Sequence, residues 1–179
     1  MKTYEFEFLL ANANYDDEGL AERLYGSGCD DALLAFSNGI AQLCFDRDAN
    51  SLETAVFSAI KDAESAGVKV TRVLPDDLVR ANDISKRIKK SRQYVSGLIS
   101  GNEGPGGFPL PKTGLTEKSY LWSWYEVATW FHANDKIDAT VLSEARFIAL
   151  LNHALSQLHN GQLHSDQEKM LRQLKSNVA

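Results

Sequence analysis

The chain is poor in the residues that staple small folds or anchor proteins in membranes. Its only cysteines are Cys29 and Cys44, too few for a disulfide framework or a four-cysteine zinc site, so two buried thiols in a cytoplasmic protein are expected. No apolar run approaches the roughly 18 residues of a membrane span, which excludes the helical membrane class and predicts a soluble protein. The opening MKTYEFEFLL has one lysine, interleaved acids and no small-residue cleavage site, unlike a secretory signal. His153, His159 and His164 lack a rigid metal-ligand spacing and straddle a helix break, so no metal is expected. No Ser-His-Asp order, phosphate loop, zinc-protease helix or dinucleotide fingerprint occurs, and no cofactor or enzymatic activity is expected. Adjacent acids at Asp30-Asp31 and Asp46-Arg47-Asp48 are the nearest approach to a carboxylate site. Such pairs at turns are ordinarily solvated.

Positive charge is scarce, and it is concentrated. Residues 1–79 hold 15 acidic and 6 basic side chains; residues 80–100 hold Arg80, Lys86, Arg87, Lys89, Lys90 and Arg92 against Asp83 alone. An acidic protein of net charge -5 can still bind nucleic acid if one basic face neutralises phosphates locally.

The periodicities predict an α+β protein in three segments: residues 1–75, 76–134 and 135–179. In the first, Tyr4, Phe6 and Phe8 alternate with Glu5 and Glu7 as a half-buried strand, and a helix is expected over Asp16–Tyr25. Two apolar runs, 32–36 and 40–45, flank an Asn38-Gly39 turn. Ser51 caps a second helix, and Val68–Leu74 is the last strand. The order βαββαβ is that of a ferredoxin-like sandwich, for which self-association, a ligand pocket or a partner surface are the expected roles. Its acidic balance argues against RNA binding.

In the second segment, Asp83 is expected to cap a short helix reaching Lys89. Ser91 then caps another, Arg92–Ser100, with Val95, Leu98 and Ile99 inward and Gly101 as its stop. This leaves Arg92, Gln93, Tyr94, Ser96, Gly97 and Ser100 outward: a set suited to a major groove, with a glycine for close approach. Pro105, Pro109 and Pro111 predict an irregular hairpin, Trp122, Trp124, Tyr125 and Trp130 an aromatic core, and Ser123 with Glu126 a capping box at a third helix. In the third segment, Leu142, Ala145, Ile148, Leu151, Ala154, Leu155 and Leu158 predict a helix over 139–158, followed by another over 165–174, the pair expected either to fold back on the second segment or to dimerise across a two-fold axis.

The stretch from Asp83 to Phe131 resembles the winged helix-turn-helix of the excisionase and MerR-like regulators, through Gly106-Gly107-Phe108-Pro109, Leu121-Trp122-Ser123-Trp124 and Glu126-Val127-Ala128-Thr129-Trp130. The resemblance implies a helix in the DNA major groove, carrying Arg92, Gln93, Tyr94 and Ser96, and a wing carrying Lys112 and Lys118. Lys86, Lys89, Lys90 and Ser91 complete the candidate DNA-binding set. The resembling turns usually have glycine where Lys89 stands and a small apolar residue where Lys90 stands, so either a left-handed lysine costs about 1 kcal/mol here or the turn is longer or differently shaped. The expected function is a sequence-specific transcriptional regulator acting on double-stranded DNA as a homodimer, with a protein partner or small effector at the N-terminal unit. The alternatives are an antitoxin-like or adaptor module, or an excisionase-like DNA-bending protein.

Overall fold

A computed structural model of the chain describes residues 1–115, 119–159 and 170. The described residues fall into two compact units, one formed by Met1–Leu74 with the chain from Leu150, the other by Pro75–Ala149. The segment from position 135, read from sequence as a separate set of helices, is thus shared between the two.

The first unit has a four-stranded antiparallel sheet of order β2-β3-β1-β4, built from β1 (Lys2–Ala11), β2 (Ala32–Ser37), β3 (Ile40–Ala49) and β4 (Lys69–Leu74). Two helices interrupt the strands, α1 (Leu20–Gly26) and α2 (Leu52–Ser65), which gives the βαββαβ order expected. Asn38 and Gly39 take φ of 51° and 77°, as a two-residue hairpin requires, and fix the β2–β3 register from Ser37↔Ile40 to Ala32↔Phe45. Strand alternation puts Phe6, Phe8, Ala41, Leu43 and Phe45 on one buried face. Phe6, Phe8 and Phe45 pack there with ring centroids 5.1–5.3 Å apart. Against this face α2 lays Ala55, Val56, Ala59 and Ala63, small enough for close approach, and its N-terminus is capped by Ser51, which accepts from the Thr54 amide at 3.1 Å.

Helix α1 starts later than expected. Asn14 and Asp16 close a turn rather than a helical one, and Asp17 binds Arg23 through both carboxylate oxygens at 2.6 and 3.1 Å, beyond which the helix begins. The pairing raises Arg23 and lowers Asp17 from their ordinary values. The charged fork serves better as a brace ahead of the helix than as part of its first turn.

The second unit contains α3 (Ala81–Arg87), α4 (Arg92–Ser100) and α5 (Trp124–Ala133), with a two-stranded ladder of β5 (Leu78–Val79) and β6 (Trp122–Ser123). Its core joins Val79, Ile84, Val95, Leu98, Trp122, Trp124, Val127, Ala128, Phe131 and Ala145. Of the aromatic cluster expected from sequence, Trp122 and Trp124 are buried in this core and Trp130 packs half-buried against it, whereas Tyr125 is half-exposed and not one of its members.

Helix α6 (Ala139–His159) extends one residue past the expected end. Its buried residues are Ala145, Ile148, Asn152 and Leu155, whereas Ala154 and Leu158 are exposed, so the stripe read from sequence drifts off the true inner face in its last turns. The helix expected over 165–174 lies outside the described residues, apart from Met170. Among the described residues no helix is long and apolar enough to cross a membrane.

Candidate nucleic-acid interface

Helices α3 and α4 are joined by four residues, and the way each helix ends decides which side chains face out. Asp83 is not the N-cap of α3. Arg80 holds that position, and Asp83, three residues on, accepts from the Arg80 amide at 3.1 Å, so the acid serves the first turn from inside the helix. At the other end the Lys90 amide donates to Ser85 O at 3.0 Å and the Lys89 amide to Lys86 O at 3.1 Å, a Schellman closure with Lys89 at φ 54°. Helix α4 ends the same way, the Asn102 amide reaching Gly97 O at 2.9 Å and Gly101 taking φ 74°. A glycine occupies one left-handed position without strain and a lysine the other at about 1 kcal/mol.

Ser91 caps α4 through Oγ, accepting from the Tyr94 amide at 3.1 Å. Val95 and Leu98 are buried, as expected. Ile99 is not: it is 38% exposed and leaves the inner face to Val95 and Leu98. Tyr94 also departs from expectation, lying half-buried against the aromatic core rather than outward. In a nine-residue helix, residues 94, 95 and 98 share the inner stripe, and residue 99 lies at its margin. Gly97 does not offer an open approach, because a Cβ there would meet Glu103 Cγ at 2.9 Å; the Glu103 side chain already occupies that surface.

What remains outward is a compact polar set. Lys86, Lys89, Lys90, Ser91, Arg92, Gln93 and Ser96 are all exposed, and among the described residues none of the three lysines nor Arg92 makes an ion pair. Lys86 additionally borders a shallow cavity of about 320 Å³ lined by Asp76, Val79, Asp83 and Arg87. Arg87, which adds to the charge of this stretch, is turned inward. It donates to Asp76 O at 3.0 Å and lies 5.0 Å over the Trp124 ring, and burial lowers its affinity for its proton.

The segment expected as a wing is a pinned loop. Among the described residues its pairing is a single bridge, Thr113↔Leu121, with the Lys112 amide donating to Leu121 O at 2.7 Å. Prolines deny it longer pairing. Instead, Trp122 Nε1 donates to Pro109 O at 3.1 Å and Trp130 Nε1 to Gly106 O at 3.0 Å, while Phe108 packs edge-on against Trp130 and Phe131. Gly114 closes the loop at φ 85°, where a Cβ would sit 2.0 Å from Ser119 O. Lys112 is neutralised by an ion pair with Glu126. Lys118 lies outside the described residues.

That ion pair alters the expected capping box. Ser123 Oγ accepts from the Glu126 amide at 3.2 Å, but the Glu126 carboxylate turns to Lys112. The rest of the α5 N-terminus is served by Asp77, whose Oδ1 accepts from the Tyr125 amide at 2.7 Å and whose carbonyl accepts from the Trp124 amide at 2.6 Å. Sequence reading missed Asp77 because its partner lies almost fifty residues away.

One acid of each pair in the first unit, Asp31 and Asp48, is also committed. Arg47 is buried on the inner face of β3 and donates to Asp31 at 2.7 and 2.8 Å, Asp62 at 2.7 Å, Ser58 Oγ at 3.1 Å and Gly28 O at 2.7 Å. Burial opposes its charge, but Asp31 and Asp62 outweigh it and hold the guanidinium still more firmly protonated than usual. Asp48 accepts from Thr3 Oγ1 at 2.6 Å. Among the described residues no group of three His, Cys, Asp or Glu side chains could hold a metal ion. Comparison with known protein families, curated proteins and solved structures finds no match to this chain.

Proposed function

We propose that the chain is a sequence-specific, double-stranded-DNA-binding transcriptional regulator whose second unit is a winged helix-turn-helix of the excisionase and MerR-like kind, with α4 as its reading helix. The observation that carries this reading is the exposed, ion-pair-free set of Lys86, Lys89, Lys90 and Arg92 on and beside a short capped helix. Cations with no ion-pair partner among the described residues keep their attraction for phosphate, and Lys89 stands at the turn despite the cost of its left-handed backbone. Arg92, Gln93 and Ser96 are the base-reading candidates, with Ser91 at the helix N-terminus beside the backbone. Tyr94 serves the core, and Lys112 is held by Glu126, so neither belongs to the contact set.

The first unit, in this reading, is a ferredoxin-like sandwich that associates with a second copy or takes a partner or effector. The regulator acts in the cytoplasm as a homodimer, since one short helix reads few base pairs and two-fold pairing doubles the site.

Selection of duplexes from a random pool, followed by gel-shift titration at several salt concentrations, tests the proposal. Arg92→Ala is expected to weaken specific binding by about 1–3 kcal/mol with an unchanged melting curve, and Lys90→Ala to flatten the salt dependence by about one phosphate contact. Failure of the pool to enrich, or an Arg92→Ala titration that overlays the wild type, rejects it.

A further inference from the structure

The two edges of the four-stranded sheet are finished differently. At β4, the Val73 amide donates to Asn152 Oδ1 at 2.8 Å and Asn152 Nδ2 donates to Val73 O at 2.8 Å. One side-chain amide thus satisfies both backbone groups that a neighbouring strand would have taken. Nothing comparable stands at β2 among the described residues. There the Asn38-Gly39 turn makes Ser37 and Ile40 a hydrogen-bonded pair, so the backbone groups of Ser37, Ala35 and Leu33 point to β3 and those of Leu34 and Phe36 point away from the sheet. The Asp46 amide, donating to Asp31 O at 3.1 Å, continues the same alternation.

The β2 edge also lacks the usual protection. Its sequence, ALLAFS, has no charge, proline or bulge. Leu33 is 69% and Ile40 48% exposed on the face away from the helices, and Tyr15, 78% exposed, packs edge-on to Phe36 with centroids 5.5 Å apart.

We propose that β2 pairs antiparallel with β2 of a second copy about a two-fold axis, making one continuous sheet from two. The inference rests on one part of the proposed function, that two copies act together, and its test involves no DNA. Charge selects the partner and the mode. A two-fold axis at Leu34, which sets the outward-bonding residues of the two copies opposite one another, places Asp31 of one copy against Ser37 of the other and Asp30 against Asn38, so no like charges meet. Stacking the open sheet faces would instead press Glu5 and Asp46, already opposite each other in the ladder, against their own copies. Six residues of edge make a small contact, of the dissociable class.

Sedimentation of the full chain over a range of concentrations, with amide hydrogen exchange followed residue by residue, tests this. The expected result is a monomer–dimer equilibrium with a Kd on the order of micromolar, which Leu33→Lys weakens roughly tenfold or more without changing the far-UV spectrum. In the wild type, the Leu34 and Phe36 amides slow with rising concentration while Leu33, Ala35 and Ser37, bonded within the sheet, do not change. A chain that stays monomeric to several hundred micromolar, by a rough bound on weak dimers, overturns the proposal. So does a dimer whose Leu34 and Phe36 amides exchange at the same rate at every concentration. Either failure leaves DNA binding by the second unit standing, and failure of DNA binding leaves the dimer standing.

Discussion

Replacing Arg47 by methionine isolates what the buried cation does. Methionine keeps much of the side-chain volume beside the Phe45 ring, over which the guanidinium now lies at 4.9 Å, and removes all five hydrogen bonds to Asp31, Asp62, Ser58 and Gly28. Breaking a buried ion pair by removing one partner costs about 3–5 kcal/mol, because the remaining charge is left uncompensated. Here Asp31 and Asp62 keep 29% and 27% of their side-chain surface exposed and can recover water, which places the loss near the lower end, about 3 kcal/mol. For a unit of this size that is a fall of about 12–24 °C in melting temperature. The three tryptophans, Trp122, Trp124 and Trp130, all lie in the second unit. Far-UV circular dichroism therefore registers the loss in the first unit, while tryptophan fluorescence follows the second. A shift in the dichroism transition larger than in the fluorescence transition is expected. A change of less than about 0.5 kcal/mol in urea unfolding would mean that the network only breaks even against an apolar side chain, and would refute the reasoning that its loss leaves buried charge uncompensated.

Asn152→Ala leaves the Val73 amide and carbonyl unpaired in a buried place, at an expected cost of about 2–4 kcal/mol by urea unfolding, and uncovers the β4 edge, which light scattering reports as concentration-dependent association. Lys89→Gly relieves the left-handed lysine and is expected to raise the fluorescence-detected stability by up to about 1 kcal/mol, while lowering the salt slope of duplex binding by about one contact. Cys29 is raised above the ordinary thiol value of 9.0, chiefly by burial. Its folded form holds the proton more tightly than the unfolded one, so its contribution to stability is complete below pH 9.0 and declines as the pH rises through the raised folded value. Alkylation followed by peptide mass spectrometry at pH 8, roughly a unit below an ordinary thiol, should modify Cys29 far more slowly in the native chain than in urea; equal rates would exclude a buried thiol.

Local physics was legible in the sequence wherever a residue's partner lies within a turn or two. Asn38-Gly39, Ser51, Ser91 and Gly101 act as their types and positions predict, because hairpins and caps are closed by neighbours in the chain. The alternation of β3 even puts Arg47 on the same side as Leu43 and Phe45, a signal that read on its own looks like a charge at a turn. Its meaning depends on Asp62 and Gly28, brought in from α2 and the end of α1. The inward turn of Arg87 onto Trp124, the capture of Lys112 by Glu126 and the service of Asp77 to α5 are likewise meetings of segments apart in the chain. Net charge along the chain marked where cations are dense; only the packed structure decided which of them face water without a partner. The same holds at the sheet, where composition gave six uncharged residues to β2, but the difference between its two edges arises from one asparagine more than seventy residues away. Sequence determines the backbone's local choices because their energies are short-ranged, and tertiary structure allocates the polar groups because burial and pairing are settled between segments that the chain holds far apart.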